Sequence, residues 1–168
     1  MTAYDPWTQF LTEILDLSRS ALQREGRPAG RAFLSAGSVA WDDCCAGQLY
    51  LRVRSIVPVA PTPASAPSPC PQMQDANLTL GVLRCASTLD DFGKAPDVSV
   101  LTRESAGVLK DSAILLKVLT DEMPQLADFW KFSKYQISTW SPLGPDGGCG
   151  GGEWEFALRY LGGGGDCG

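Results

Sequence analysis

Residues Trp140 to Phe156 read Trp-Ser-Pro-Leu-Gly-Pro-Asp-Gly-Gly-Cys-Gly-Gly-Gly-Glu-Trp-Glu-Phe, a glycine-rich connector between two aromatic segments. Glycine reaches backbone conformations closed to other residues, so such a run suits a sharp or irregular reversal. After it the chain alternates: Trp154, Phe156, Leu158 and Tyr160 fall on one side, Glu153, Glu155 and Arg159 on the other. That is the period of a half-buried strand. The spacing predicts a wide β-hairpin with strands at 135–143 and 153–161 and a long glycine tip at 144–152. Residues 162–168 follow as a flexible glycine-rich tail.

The 168 residues suffice for one domain with a real core, and the composition, 44% hydrophobic and 20% charged, is that of an ordinary soluble globular chain. A net charge of −5 repels phosphate backbones, which argues against sequence-specific nucleic-acid binding. A wall past which DNA slides without adhering is compatible with it. No apolar run approaches the ~20 residues that cross a bilayer, and the first residues lack the pattern of a signal peptide. The absence of histidine removes the usual general base near neutral pH and the commonest metal ligand.

Along the chain, residues 5–25 predict an amphipathic helix. Asp5 can cap it, Pro6 fits its first turn, and Trp7, Phe10, Leu11, Ile14, Ser18, Ala21 and Leu22 form one face. Gly26 and Pro28 end it, and residues 26–40 read as irregular. Residues 48–57 alternate as a strand with Tyr50, Arg52 and Arg54 on a polar outer face. Residues 58–71 hold six prolines among alanine, serine and threonine, and predict a long projecting loop with extended backbone. Residues 76–86 are apolar on both sides, as a central strand would be. Residues 99–122 predict a second helix with Leu101, Ser105, Val108, Leu109, Ser112, Leu115, Leu116 and Leu119 in phase, stopped by Pro124. An aromatic stretch follows, with Phe129, Trp130, Phe132 and Tyr135.

The order helix, strand, strand, helix, strand, strand gives an α+β fold. Two helices pack on one face of a mostly antiparallel sheet of four or more strands, in a single domain over 1–168.

Six cysteines stand at 44, 45, 70, 85, 149 and 167. The chain is too long and too apolar for a disulfide scaffold, so the simplest reading is buried, reduced thiols. The sharper alternative is one or two disulfides formed in an oxidising medium, Cys45 with Cys70 or Cys85 with Cys149. The adjacency of Cys44 and Cys45 does not fit a zinc knuckle. Asp42 and Asp43 read as a solvated turn rather than a calcium loop, and Glu153 and Glu155 as exposed strand carboxylates rather than a glycosidase pair. No nucleophile elbow, phosphate loop or dinucleotide fingerprint is present, so no enzymatic activity and no cofactor or metal are expected.

Three segments, Trp41-Asp-Asp-Cys-Cys-Ala-Gly-Gln-Leu-Tyr-Leu-Arg-Val, Leu80-Gly-Val-Leu-Arg-Cys and Trp140 through Trp154, together resemble head-to-tail connector proteins of long-tailed actinobacteriophages of the mycobacteriophage type. The element order resembles that of tail terminators. The resemblance implies a structural virion protein, assembled in the host cytoplasm and placed at the junction of tail and neck. It implies a homo-hexameric ring that ends the tail tube and meets the head's stopper or adaptor, with viral DNA passing through its lumen. A neck stopper or adaptor gating DNA exit is the alternative. The interface candidates are Pro61, Pro63 and Pro67 of the proline loop, Phe129, Trp130 and Phe132 of the aromatic stretch, and Pro145, Asp146 and Gly147 of the glycine tip.

Overall fold

The structure, a computed structural model, describes residues 5–59 and 73–161. Helix α1 spans Pro6–Arg24. Asp5 caps it as expected, accepting from the amides of Trp7 at 3.1 Å and Thr8 at 3.2 Å. Its face of Trp7, Phe10, Leu11, Ile14, Leu15, Ser18, Ala21 and Leu22 is buried. The chain leaves the helix through Gly26, whose φ of 70° belongs to the left-handed region, with the Arg27 amide donating to Leu22 O at 2.8 Å.

Five strands form one mixed sheet: β1 (Arg31–Ser35), β2 (Gln48–Pro58), β3 (Gln74–Cys85), β4 (Phe132–Asp146) and β5 (Cys149–Tyr160), in the order β1-β2-β3-β5-β4. Three pairings are antiparallel, and β1 runs parallel to β2. The α+β reading holds, and β3 is central as its two apolar sides required. Strand β1 replaces the expected irregular stretch. Only Ala32, Phe33 and Leu34 mark it in sequence, too few for a periodicity. Parallel pairing needs a crossover, and residues 36–47 supply it, with a short 3₁₀ turn at Cys44–Ala46.

The glycine run corrects another expectation. The hairpin has a tight tip rather than a long one. Asp146 pairs with Cys149, and only Gly147 and Gly148 turn the chain, with φ of 56° and 79°. Two positive φ values are what a type I′ turn demands, and its twist suits the flanking strands. Gly150, Gly151 and Gly152 are buried members of β5.

Helix α2 spans Val98–Lys117. Pro124 does not end the helical segment. The chain widens into a π turn at Val118–Glu122, where the Met123 amide donates to Val118 O, and continues as α3 (Met123–Phe129) with Pro124 in its first turn. Proline has no amide to lose there, which is why that position tolerates it.

Both long helices pack on the same side of the sheet. Leu49, Leu51, Ala76, Leu78, Leu80, Val82, Phe156 and Leu158 meet α1 residues and Ile114, Leu115, Val118, Leu119 and Met123 in the main core. Each of these side chains larger than alanine contributes about 1.5–3 kcal/mol by leaving water. Phe132, expected at an interface, is instead 3% exposed and stacks on Phe10 with ring centroids 4.2 Å apart.

The fully buried carboxylate of Asp111 joins three elements. It accepts from Arg27 Nε and from Arg27 Nη2 at 2.8 Å, and from Arg84 Nε at 3.0 Å and Nη2 at 3.3 Å. Arg84 also donates to Pro28 O at 2.6 Å and Arg27 O at 2.7 Å. Helix α2 is thereby tied to β3 and to the turn between α1 and β1.

Two outcomes test these links. Asp111→Ala should cost about 3 kcal/mol in urea unfolding, since it leaves two half-buried guanidinium groups without their counter-charge; a loss below 1 kcal/mol would show that the ions are solvated. Asp5→Ala should cost about 1 kcal/mol at neutral pH. The Thr8 hydroxyl, ahead of the opposing effect of burial and then the Thr8 and Trp7 amides, holds the Asp5 carboxyl below its ordinary value. A lowered folded value means the cap's contribution is complete above the unfolded value of about 3.9 and fades as pH falls through the folded one. The stabilities of wild type and variant should therefore converge in acid.

Candidate functional site

The helix-free face of the sheet is closed by charge pairing. Tyr50 lies flat over Gly81, where a Cβ would come within 2.4 Å of its ring. It is 1% exposed and donates to Glu153 Oε2 at 2.8 Å. Burial first, and then the Glu153 charge, push the Tyr50 hydroxyl far above its usual value, so it remains a donor. Arg52 donates to the same carboxylate at 3.1 and 3.3 Å and to Thr79 at 3.1 Å. Arg54 pairs with Glu155, and Arg159 with Asp75 at 2.6 and 2.7 Å. The expected polar outer face thus exists, with two corrections. Tyr50 and Glu153 are buried within it, and both glutamates are held by arginines rather than left to solvent. A shallow groove of about 530 Å³ lies along this face between Arg54, Asn77, Gln136 and Glu155. Along it Arg54 is paired with Glu155, and Asn77 donates to the Ser55 hydroxyl at 3.0 Å.

The cysteines staple the crossover 36–47 onto this face. Cys44 bonds Cys149 and Cys45 bonds Cys85, with Cα separations of 5.6 and 4.2 Å. Neither pairing is the one expected from sequence, nor are these four thiols reduced. Cys85 and Cys149 do face each other across β3 and β5, yet each turns to one of the adjacent cysteines of the 3₁₀ turn. Cys70 lies outside the described residues. Cys44, Tyr50, Leu83 and Cys149 form a second small core under Phe33, Val39, Trp41 and Leu143. Among the described residues no cluster of acidic and cysteine side chains is arranged to hold a metal ion.

The other side of the hairpin carries an apolar groove of about 320 Å³. One wall is α2, with Leu101, Glu104, Val108 and Leu109; the other is β4, with Trp140, Pro142 and Pro145; Ala86, Gly150 and Gly151 line it between them. Glycine explains the depth. The Trp140 indole lies over Gly152, where a Cβ would be 2.4 Å from the ring, and a Cβ on Gly150 would press within 3.1 Å of Ala86. The indole N–H groups of Trp7, Trp130 and Trp154 each have an acceptor; those of Trp41 and Trp140 have none among the described residues. Glu104 accepts from the amide and hydroxyl of Ser87, which fixes the segment after β3 against α2.

The groove opens onto an uncovered helix face. No residue of α2 from Val98 to Lys110 is buried. Val98, Leu101 and Leu109 are 78%, 41% and 59% exposed, and Leu89 and Phe92 in the preceding segment 63% and 96%. Leu101 and Leu109 belong to the expected apolar stripe, but of that stripe only Leu115 and Leu119 are buried in the core.

The interface candidates do not form one surface. Pro145 lines the groove, with Asp146 and Gly147 exposed at the adjacent hairpin tip. Phe129, 75% exposed, and Trp130, whose indole donates to Glu13 at 3.1 Å, lie at the opposite end of the sheet, where Phe132 pairs with Tyr160. Pro61, Pro63 and Pro67 lie outside the described residues, but Pro58 and Gln74, which flank that segment, pair at this same aromatic end. Leu101, Leu109, Trp140 and Pro142 were not among the interface candidates expected from sequence. An apolar helical stripe looks alike whether covered or bare.

No family model matches this chain, and no curated protein is similar to it in sequence.

Peptide mapping under non-reducing conditions should link the 36–47 segment to both 83–87 and 147–151. A direct bond between Cys85 and Cys149 would contradict the arrangement.

Proposed function

We propose that this protein is a structural ring subunit, a tail-terminator-like connector of a long-tailed phage. In this reading six copies close into a collar at the end of the tail tube and join it to the head's neck proteins. The observation that carries it is the bare apolar face of α2 running into the groove walled by Trp140, on a body whose opposite face is sealed by ion pairs. An exposed apolar surface of this extent beside a formed groove marks a protein contact. The groove and the aromatic segment occupy opposite ends of the sheet. Two different patches on one subunit suit a heterologous contact, which repeats head to tail and closes where the rotation allows. The phage setting comes from the resemblance of the three sequence segments, as does the number six. A net charge of −5 fits a lumen through which DNA passes without adhering.

Native mass spectrometry and negative-stain imaging of the full chain provide the test. Closed rings with a channel wide enough for duplex DNA, capping isolated tail tubes, are expected. A monomer at every concentration, or turnover of a small-molecule substrate, would overturn the proposal. Rings that bind filled heads but not tubes would assign the chain to the stopper instead.

A further inference from the structure

We infer that the apolar groove between α2 and the β4–β5 hairpin receives the proline-rich segment 60–72 of a second copy of this chain. The inference rests on the self-assembly proposed above and names the element that mediates it.

Chain length decides between an internal and an external occupant. The segment leaves from Val59 and returns at Met73, which are joined by a hydrogen bond of 2.8 Å, so both its ends are fixed at one point. Thirteen residues held at both ends reach at most about 22 Å, half of their extended length at ~3.4 Å per residue. The middle of the groove lies level with Leu83, which pairs with Gly151, and Gln74 pairs with Tyr160 at the start of the same strand. Nine residues of strand separate those levels, about 30 Å. The groove also lies on the β4 side of the sheet, with β5 standing between β3 and β4, so the true path is longer. The segment of one subunit therefore falls short of the middle of its own groove and approaches only the Trp140 edge, which is level with Leu80 through Trp154, so the rest of the groove is left to a neighbour's segment.

The chemistry of the two parts matches. The segment reads Ala-Pro-Thr-Pro-Ala-Ser-Ala-Pro-Ser-Pro-Cys-Pro-Gln, with five prolines and no charged side chain. Such a sequence favours extended backbone whose carbonyls have no internal donors, and it loses little conformational freedom on docking. Grooves that take proline-rich strands are lined by aromatic rings. Here Trp140 and Pro142 face Leu101, Val108 and Leu109 across the groove, and the Trp140 indole N–H, which has no acceptor among the described residues, can donate to one of those carbonyls.

The test uses the full chain, a variant with 60–72 replaced by glycine and serine of equal length, and Leu109→Asp, an exposed position whose folding is checked by circular dichroism. A peptide of residues 58–73 carrying Cys70→Ser is titrated onto the segment-replaced protein by tryptophan fluorescence. We expect both altered proteins to lose the wild-type assembly in native mass spectrometry. The peptide should bind the segment-replaced protein, and Leu109→Asp in that background should weaken it at least about tenfold. Should Leu109→Asp misfold, the titration onto the unaltered groove still decides. Rings that persist without the segment would overturn this inference and leave the ring reading intact. A wild type that stays monomeric at every concentration would overturn both, whether or not the peptide binds. Assembly lost in both variants without any peptide binding would also overturn the inference.

Discussion

Burying the Asp111 carboxylate costs several kcal/mol of hydration, and the two arginines that converge on it offset that cost only because their geometry is complete. What the cluster brings is placement. The first three turns of α2 contribute nothing to the main core, so hydrophobic packing does not hold them. They are held by Asp111 at one point and by the Glu104–Ser87 contacts at another. An ionic tether leaves the apolar side chains of those turns free to point outward. Had Leu101 and Leu109 been needed to hold the helix down, there would be no uncovered face and no groove wall.

The hairpin supplies the opposite wall by a related economy of side chains. A strand that carries Gly150, Gly151 and Gly152 gives up packing area and entropy, which weakens a strand interior. In return the Trp140 ring lies flat where a Cβ would obstruct it. The two disulfides reinforce the same end from behind, joining the crossover to β3 and β5 beneath the glycines. Cross-links of this kind restrict the unfolded chain and typically add 2–4 kcal/mol each. The rigidity is thus concentrated at the groove end, while the end with Pro58 and Gln74 is closed by aromatic packing around Phe132.

Much of the fold was legible from local pattern. Asp5 and Pro6 announced the start of α1, alternation located β2 and β5, and the two-sided apolarity of residues 76–86 placed β3 at the centre. What stayed hidden depended on partners distant in sequence. A glycine run satisfies a loop and a tightly packed strand equally, and only the ring of Trp140 distinguishes them. Tyr50 alternates like an exposed residue, but Gly81 beside it leaves a seat for its ring. Adjacent cysteines leave many pairings open, and the register that sets Cys85 opposite Cys149 is a property of the sheet. The groove was least visible of all, since it arises where a helix that looks ordinary is held away from the core. Pro145 alone among the sequence candidates marks it.

The widened turn at Val118–Glu122 keeps the long helical segment in step. Leu115, Leu119, Met123 and Ala127 recur every four residues, and in a regular helix that interval drifts by roughly 40° at each step. The extra residue accommodated in the π turn takes up part of this drift, so that Met123 and Ala127 still reach the core. It works as a vernier between two helices. Removing one residue from it would leave an unbroken rod but rotate everything beyond by about 100°, carrying Phe129 and Trp130 round to a different side of the molecule.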